Sequence, residues 1–374
     1  MGRIRIFNTE GVSDYEYFIR GMLTDYDRKI TTATAVKLID DDSGRVLVIR
    51  GHDFVFDNGE ATSGTVTSVV LKENGIAYAT LDRFNDTLVN VMADVNAQAY
   101  TAFTERLGPT RFFGNIGIDV CVTGSGNDTI HAGDNIDEVW GQGGNDIIFG
   151  EGGDNTLLGG EGADTIHGGP AFDYTSYRDS PVGLKVSLTD PAINTGYAAG
   201  DVYDQVEGIE GSDFADRLTG SDILNAIYAR GGSDIVWGGA GGDFLYGMGG
   251  RDRLTGGADG DYMEGGAGRD RFIYMTAGEG NDTIADFAGR DKMVIHVAGF
   301  DPQIGIDPAS HGFADPNINF IVDGAPTAAE GTFLYSSFSG VLSFDPDGSG
   351  SAFAVVIATF NGAPTLDDGD FILT

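Results

Sequence analysis

Acidic or amide residues recur at nine-residue intervals in two blocks of this chain. The first block contains Asp128, Asp137, Asp146, Asn155, Asp164 and Asp173, and the second contains Asp216, Asn225, Asp234, Asp243, Asp252, Asp261 and Asp270. Residues 159–167 (GGEGADTIH) show the repeat best, with glycine at the first, second and fourth places, the acid at the sixth and an apolar residue at the eighth. A strict short period of this kind predicts a repeat architecture.

The apolar residues of the repeat indicate strands rather than helices. The eighth places hold Ile130, Val139, Ile148, Leu157 and Ile166, then Leu218, Ile227, Val236, Leu245, Leu254, Met263 and Phe272. One apolar residue in nine is too sparse for an amphipathic helix and too regular for a loop. We therefore predict one short strand and one glycine-rich turn per repeat, with two repeats forming each coil of a flattened parallel solenoid.

Stacking the coils sets the chemistry of the acids. Carboxylates two repeats apart, such as Asp146 and Asp164, would face each other across neighbouring coils and repel unless a cation lies between them. Carboxylate and carbonyl oxygens in flexible loops suit Ca²⁺. For a single repeat an ordinary turn role for Asp and Gly is the simpler interpretation, but the phase is kept through both blocks. Asn155 and Asn225 carry no charge, so the strongest sites are predicted at 143–168 and 231–270.

Several Ca²⁺ ions are therefore expected, with no other cofactor. The predicted metal ligands are Asp128, Asp137, Asp146, Asn155, Asp164, Asp173, Asp216, Asp234, Asp243, Asp252, Asp261, Asp270 and Asp282.

The nonapeptide resembles the RTX, or hemolysin-type, calcium-binding repeat. The resemblance implies a mainly β protein built on a calcium-bound parallel β-roll. Residues 280–287, 342–350 and 367–374 (GNDTIADF, LSFDPDGSG and DDGDFILT) resemble the region that follows RTX arrays in serralysin-type metalloproteases. In that family the tail belongs to an uncleaved signal, which implies that type I secretion machinery reads the C-terminus of this chain.

The predicted organisation has five segments. They are a strand-rich N-terminal module with one helix (1–120), a first array (121–174), an interrupting strand or hairpin segment (175–215), a second array (216–287) and a β-rich C-terminal region (288–374) that caps the solenoid and carries the secretion signal. Within the module, alternation predicts strands at 35–39, 45–50, 65–71 and 76–81, and apolar spacing predicts a helix over 87–107. Over 175–215 alternation predicts strands at 182–188 and 202–209, and we expect a side hairpin with a protruding loop that interrupts the solenoid phase.

Charge and cysteine content narrow the setting of the protein. Asp and Glu number 57 against 22 Lys and Arg, for a net charge of −35, which argues against nucleic acid and anionic membranes as partners. Residues 1–10 show no signal-peptide pattern, and no segment approaches the ~20 apolar residues of a membrane span.

Cys121 alternates with Val120 and Val122, so we interpret it as a core residue; a reactive thiol is the alternative. We expect a secreted protein, extracellular or on a cell surface.

One acidic stretch near the C-terminus has two interpretations. Residues 345–350 (DPDGSG) begin like an EF-hand loop, but Val356 stands where such a loop needs a bidentate Glu. We interpret them as a hairpin turn between strands at 342–344 and 353–357, with a weak calcium loop as the alternative.

No catalytic motif is found. The five histidines do not form His-Glu-x-x-His, no Gly-x-Ser-x-Gly is present, and adjacent His52 and Asp53 would point to opposite faces of a strand. The leading hypothesis is a non-enzymatic surface, matrix or adhesion component whose partner is an extracellular glycan or surface receptor. The alternative is a small polysaccharide-active hydrolase with its site in residues 1–120, where an open aromatic cleft formed by Tyr15, Tyr17, Phe18, Phe54 and Phe56 would favour it. Without a long apolar segment, pore formation is disfavoured.

Overall fold

The structure is a computed structural model that describes residues 3–6, 28–32, 35–40, 45–57, 60–73, 76–87, 111–113, 120–300, 319–325, 331–347 and 352–374. The chain divides into two compact units. Unit 1 comprises residues 1–177 and 197–206, and unit 2 comprises residues 178–196 and 207–374. The five-segment division stays a prediction.

Unit 1 joins an antiparallel meander to a parallel solenoid. Its described strands are β1 (Arg3–Ile6), β2 (Arg28–Thr32), β3 (Ala35–Asp40), β4 (Arg45–Asp57), β5 (Glu60–Glu73), β6 (Ile76–Thr87), β7 (Arg111–Phe113), β8 (Val120–Val122), β9 (Thr129–Gly133), β10 (Glu138–Trp140), β11 (Ile147–Glu151), β12 (Thr156–Leu158), β13 (Thr165–His167), β14 (Tyr174–Ser176) and β16 (Val202–Asp204). One sheet runs β16-β13-β11-β9-β7-β1-β6-β5-β4-β3-β2, and β14-β12-β10-β8 form the opposite face of the coils. The pairs β3–β4 and β5–β6 are antiparallel, as predicted from their alternation.

Unit 2 continues the same plan. Its described strands are β15 (Lys185–Ser187), β17 (Gly208–Glu210), β18 (Arg217–Thr219), β19 (Ala226–Tyr228), β20 (Gly231–Gly232), β21 (Ile235–Ala240), β22 (Phe244–Tyr246), β23 (Gly249–Gly250), β24 (Arg253–Ala258), β25 (Tyr262–Glu264), β26 (Ala267–Gly268), β27 (Arg271–Tyr274), β28 (Asp282–Ile284), β29 (Lys292–Ile295), β30 (Asn319–Val322), β31 (Thr332–Tyr335), β32 (Val341–Asp345), β33 (Val355–Phe360) and β34 (Phe371–Leu373). Two long sheets run β15-β18-β21-β24-β27-β29-β34 and β30-β31-β32-β33-β28-β25-β22-β19-β17, and β20-β23-β26 line the turns.

Helical structure is sparse in the part of the chain that the structure describes. It consists of α1 (Val297–Phe300) and short 3-10 turns at Pro191–Ile193, Gly196–Ala198, Ala277–Glu279 and Asp368–Asp370. No helix among these residues is long and apolar enough to cross a membrane.

The core of each array consists of two columns of apolar side chains, one from each face of the coils. Parallel register pairs Ile148 with Ile166 and Leu245 with Met263, so eighth-place residues stack coil upon coil. All twelve of those predicted from the sequence have 0% exposure. The mainly β, parallel β-roll architecture is therefore confirmed. Cys121 is buried in β8, opposite Val139, as expected of a core residue.

Stacking also fixes the shape of the turns. Four second-place residues other than glycine adopt left-handed backbone, with φ of 71° at Gln142, 65° at Glu151, 71° at Arg230 and 66° at Met248. That conformation costs a non-glycine residue roughly 1–2 kcal/mol. The turn is therefore imposed by contacts between coils rather than chosen by the local sequence.

The interrupting segment differs from the expected side hairpin. Its strands β15 and β16 lie within the long sheets, where β15 pairs in parallel with β18 and β16 pairs in parallel with β13. The interruption therefore supplies strands to the solenoid instead of leaving it.

The C-terminal region also extends the coils. Strand β33 pairs in parallel with β28, and β34 pairs in parallel with β29. Strands β32 and β33 are antiparallel, in agreement with the hairpin predicted there, whereas residues 348–350 of the calcium-loop alternative lie outside the described residues. The predicted helix from residue 88 onward, and Tyr15, Tyr17 and Phe18, also lie outside them.

Candidate metal centre

The sixth-place residues, here called rung residues, line the inside of each turn. Each of them lies directly before a strand, and its side chain points back under the turn. All thirteen predicted ligands are buried, with exposures of 0% to 3%. Buried carboxylates require partners, so their oxygen atoms decide what the site can bind.

One oxygen of each rung is satisfied by the preceding coil. The backbone N–H of Asp146 donates to Oδ1 of Asp164 at 2.8 Å, and that of Asp234 donates to Oδ1 of Asp252 at 2.9 Å. The same bond recurs from Asp128, Asp137, Asn155, Asp216, Asn225, Asp243 and Asp252 to the residue 18 positions later, at 2.7 Å to 2.9 Å. These bonds connect the rungs into a ladder.

The second oxygen of many rungs is buried without a hydrogen bond. This applies to Oδ2 of Asp146, Asp164, Asp234, Asp243, Asp252, Asp261, Asp270 and Asp282. Leaving one buried acceptor unsatisfied costs about 1–3 kcal/mol, and more where the group is charged. The Oδ2 atoms of these rungs therefore lack the hydrogen bonds that their Oδ1 atoms receive.

Carbonyl oxygens approach these same atoms because the first place of the repeat is glycine. A Cβ on Gly247 would lie 2.7 Å from Oδ2 of Asp252 and 2.6 Å from the carbonyl oxygen of Gly265. A Cβ on Gly238 would lie 2.6 Å from the carbonyl oxygen of Gly256 and against Oδ2 of Asp243. Glycine thus leaves an acid oxygen and a carbonyl oxygen of the next coil facing one another.

Burial shifts the titration of the rung carboxyls upward. Desolvation raises the pKa of Asp146 to about 8, and the carboxylates of Asp164 and Asp128 add to the rise, while the hydrogen bond to the Asp128 backbone opposes it. Burial likewise raises the pKa of Asp282 to about 8 and the pKa values of Asp234 and Asp243 to about 7. Asp164, Asp252 and Asp261 have pKa values raised to about 6 for the same reason. Near neutral pH these groups need either a proton or a cation.

The donor set fits a hard cation. The groups that converge are carboxylate and backbone carbonyl oxygens, the ligands that Ca²⁺ prefers. Within the described ranges no three His, Cys, Asp or Glu side chains gather at one point. Acids alone would therefore not complete a coordination shell of six to eight oxygens, and turn carbonyls must provide much of it.

Some rungs are satisfied without an ion. At Asp216, Oδ2 accepts from the backbone N–H of Ser212 at 2.7 Å and from its hydroxyl at 3.0 Å. At the amide rungs, Nδ2 of Asn155 donates to the carbonyl oxygen of Gly153 at 3.0 Å, and Nδ2 of Asn225 donates to that of Glu207 at 2.8 Å. Asn155 and Asp216 remain predicted ligands. Their side chains already have hydrogen-bond partners, however, so these rungs do not require a cation.

Sequence reasoning missed two rungs. The backbone N–H of Asp164 donates to Oδ1 of Asp201, 37 residues later, and that of Asp270 donates to Oδ1 of Asp291, 21 residues later. Asp201 also accepts from the Tyr177 hydroxyl at 2.7 Å, and burial raises its pKa to about 7. Asp201 falls outside the nine-residue phase, but it follows a turn and precedes a strand, which could have indicated it. Asp291 lies nine residues after Asp282, so the spacing itself could have indicated it.

A match to a family model agrees with this geometry. A family model described as RTX calcium-binding nonapeptide repeat (4 copies) matches residues 113–148, 122–157, 140–174, 210–245, 237–272 and 274–294. The chain is also similar to the solution structure of the AlgE6R3 subunit of the mannuronan C5-epimerase from Azotobacter vinelandii. That similarity has 22% sequence identity and a TM-score of 0.22, and it covers 43% of this chain and 80% of the other. No curated protein matches the chain.

Proposed function

Because the chain is a parallel β-roll that carries RTX calcium-binding nonapeptide repeats, we propose that it is a secreted protein whose arrays fold when Ca²⁺ fills the turns. Type I secretion machinery reads its C-terminal region and exports the chain before it folds. Outside the cell it serves as a non-enzymatic surface, matrix or adhesion component.

The observation that carries this proposal is the row of buried Oδ2 atoms that receive no hydrogen bond. Eight carboxylates are at most 3% exposed, and each has one oxygen without a hydrogen-bond donor. Burying these oxygens opposes folding. Each calcium site at about 100 times its dissociation constant adds roughly 2.7 kcal/mol of stability, provided the unfolded chain does not bind the ion. Several coupled sites would exceed the ordinary stability of a domain, so calcium concentration controls folding.

The residues that would hold the ions are the predicted ligands. Those with unsatisfied Oδ2 are the primary candidates: Asp146, Asp164, Asp234, Asp243, Asp252, Asp261, Asp270 and Asp282. Asp128, Asp137 and Asp173 complete the proposed set, whereas Asp216 and Asn155, which the sequence also predicted, already have hydrogen-bond partners and are not proposed to need an ion. When bound, the ion supplies the positive charge that allows stacked carboxylates to remain ionised, while glycine carbonyls provide the further oxygens.

Secretion and an extracellular setting are supported by charge and cysteine content. A net charge of −35 opposes compaction wherever free calcium is scarce. Cys121 is the only cysteine, so no internal disulfide can stabilise the chain outside the cell. The C-terminal residues 367–374 resemble the tail that type I machinery reads.

Far-UV circular dichroism during a calcium titration tests the proposal. We expect a steep gain of strand signal at sub-millimolar to millimolar calcium, and none with magnesium at the same concentrations, because Mg²⁺ demands a rigid octahedral shell and holds its water. A chain that is already fully folded in chelator, and that calcium leaves unchanged, would contradict the proposal.

A further inference from the structure

A cluster of positive charge lies on unit 2 of this very acidic chain. A groove of about 600 Å³ is lined by Arg251, Arg253, Arg269, Arg271, Arg290 and Lys292. These six make up a large share of the 22 basic residues in the protein. Such a concentration in one groove is unexpected where acids outnumber bases so strongly.

The arrangement follows from the repeat. Register pairs Arg253 with Arg271 and Arg271 with Lys292 on adjacent parallel strands, about 4.8 Å apart. Arg251, Arg269 and Arg290 each precede a rung acid by one residue and form a second row. The groove therefore presents two rows of three cations at the spacing of the coils.

The five arginines of the groove form no salt bridge with the residues that the structure describes. Elsewhere in unit 2, Arg230 pairs with Glu210 at 2.7 Å and with Asp213 at 3.0 Å, and Arg178 pairs with Glu210 at 3.5 Å. In the groove, Lys292 contacts Asp370 at 3.3 Å, but among the described residues no carboxylate lies within ion-pairing distance of any of its five arginines. All five are exposed. Like charges in direct register destabilise a sheet, so the cluster opposes folding unless an anion binds it.

We propose that this groove binds an acidic polysaccharide, a linear chain of sugars that bear carboxylate or sulfate groups. Guanidinium groups bind such anions through paired hydrogen bonds, and a comb of cations along the coils suits a polymer with regularly repeated charges. This inference goes beyond calcium binding, because arginine cannot ligate a metal cation, although the groove adjoins the ladder and is also lined by the rung acids Asp252 and Asp270.

The lining argues against nucleic acid. Besides the basic residues, the groove is lined by Asp252, Asp270, Ser233, Ile235 and Ile372, and none of its lining residues is aromatic. Single-stranded nucleic acids depend on aromatic platforms for stacking. Ion pairing with a flexible chain of charged sugars needs no such platform.

Binding should be measured on the full chain at a fixed saturating calcium concentration. The probes are oligogalacturonate for carboxylate, dextran sulfate for sulfate, neutral dextran, and oligo-dT. We expect one anionic polysaccharide to bind at least about tenfold more tightly than dextran or oligo-dT, with an affinity that falls as salt rises. The anionic probe that binds identifies the charged group.

A matched pair of variants assigns the binding to the groove. Arg253→Gln with Arg271→Gln removes two groove cations, and we expect about tenfold weaker binding, since each removes a charge-assisted contact. Lys185→Gln with Arg217→Gln removes two exposed cations paired in register on the same sheet but outside the groove. This control should change affinity by less than about twofold.

Folding is checked by the calcium midpoint, which should stay unchanged in both double variants. If Arg253→Gln with Arg271→Gln shifts it, Arg251→Gln with Arg269→Gln replaces them, since these two residues precede the strands. Equal losses in the groove and control variants would overturn the proposal, because they would show only a general charge effect. Binding of oligo-dT as tight as that of either polysaccharide, or no preference over dextran, would overturn it as well.

Discussion

At the scale of single residues, the two oxygens of a rung carboxylate have different roles. In Asp252, Oδ1 accepts a hydrogen bond from the Asp234 backbone, whereas Oδ2 has no donor and faces the carbonyl oxygen of Gly265 across the space beside Gly247. The absence of a side chain at Gly247 is therefore as important to the site as the acid. The backbone of Gly247 is not left-handed, so its role here is purely steric.

Substituting Gly247→Ala should damage the site without altering any ligand. A Cβ would lie 2.6 Å and 2.7 Å from two oxygens that cannot both move, so we expect a loss of about 1–3 kcal/mol in the free energy of unfolding in calcium. The calcium midpoint should rise as well. Gly278→Ala is the matched control, since its nearest contact would be Oγ1 of Thr276 at 3.7 Å. Equal effects at both positions would show that Gly247 has no steric role at the site.

At the scale of elements, the second array contains two kinds of turn. In the turns at 211–216 and 220–225 a serine at the second place donates to the rung side chain, as Ser212 does to Asp216 and Ser221 does to Asn225. From Asp234 to Asp282 the rung acids have an unsatisfied Oδ2. The serine turns therefore form without a cation, and the later turns require one.

Matched substitutions distinguish the two kinds of turn. Asp252→Asn should lower the number of bound calcium ions measured by equilibrium dialysis, because it removes the charge at an unsatisfied rung. Asp216→Asn should leave that number unchanged but lower the free energy of unfolding in calcium by about 1–3 kcal/mol, because an amide N–H would face the N–H of Ser212. The distinction fails if Asp216→Asn lowers the number of ions as much as Asp252→Asn.

The elements also explain what the sequence could predict. Inside the arrays the period predicted one strand per repeat and the burial of the eighth-place residues, since Ile148 and Leu245 obey a spacing that stacking enforces. Asp201 was missed because 37 residues separate it from Asp164. The chain leaves the sheet and rejoins it between the two residues, so their separation is not a multiple of nine. The sequence identified Asp216 and Asn225 as members of the series but not the serine hydroxyls that donate to them, because a hydroxyl donor leaves no periodic signal. The basic groove was hidden because net charge averages over the whole chain.

At the scale of the whole molecule, burial couples folding to protons as well as to calcium. Rung carboxyls have pKa values of about 6 to 8 in the folded chain, against 3.8 for an ordinary Asp. The folded chain without calcium therefore binds more protons than the unfolded chain between these values. Stability from this source is fully present below pH 3.8 and is lost as the pH rises through the range 6 to 8.

Protons and calcium ions should therefore stabilise the folded rungs in different pH ranges, protons at low pH and calcium at high pH. In calcium-free buffer we expect strand signal in far-UV circular dichroism to be greatest near pH 4 and to fall as the pH rises to 8, as protons leave the rungs. In saturating calcium the signal should persist at pH 8, and the calcium midpoint should rise as the pH falls below about 6, because protons compete for the same oxygens. Asp252→Asn should flatten the calcium-free curve more than Asp222→Asn, which removes the same charge from an exposed position. A calcium-free chain that gains strand between pH 4 and pH 8 would contradict this coupling, since it would require the buried carboxylates to be more stable ionised than protonated.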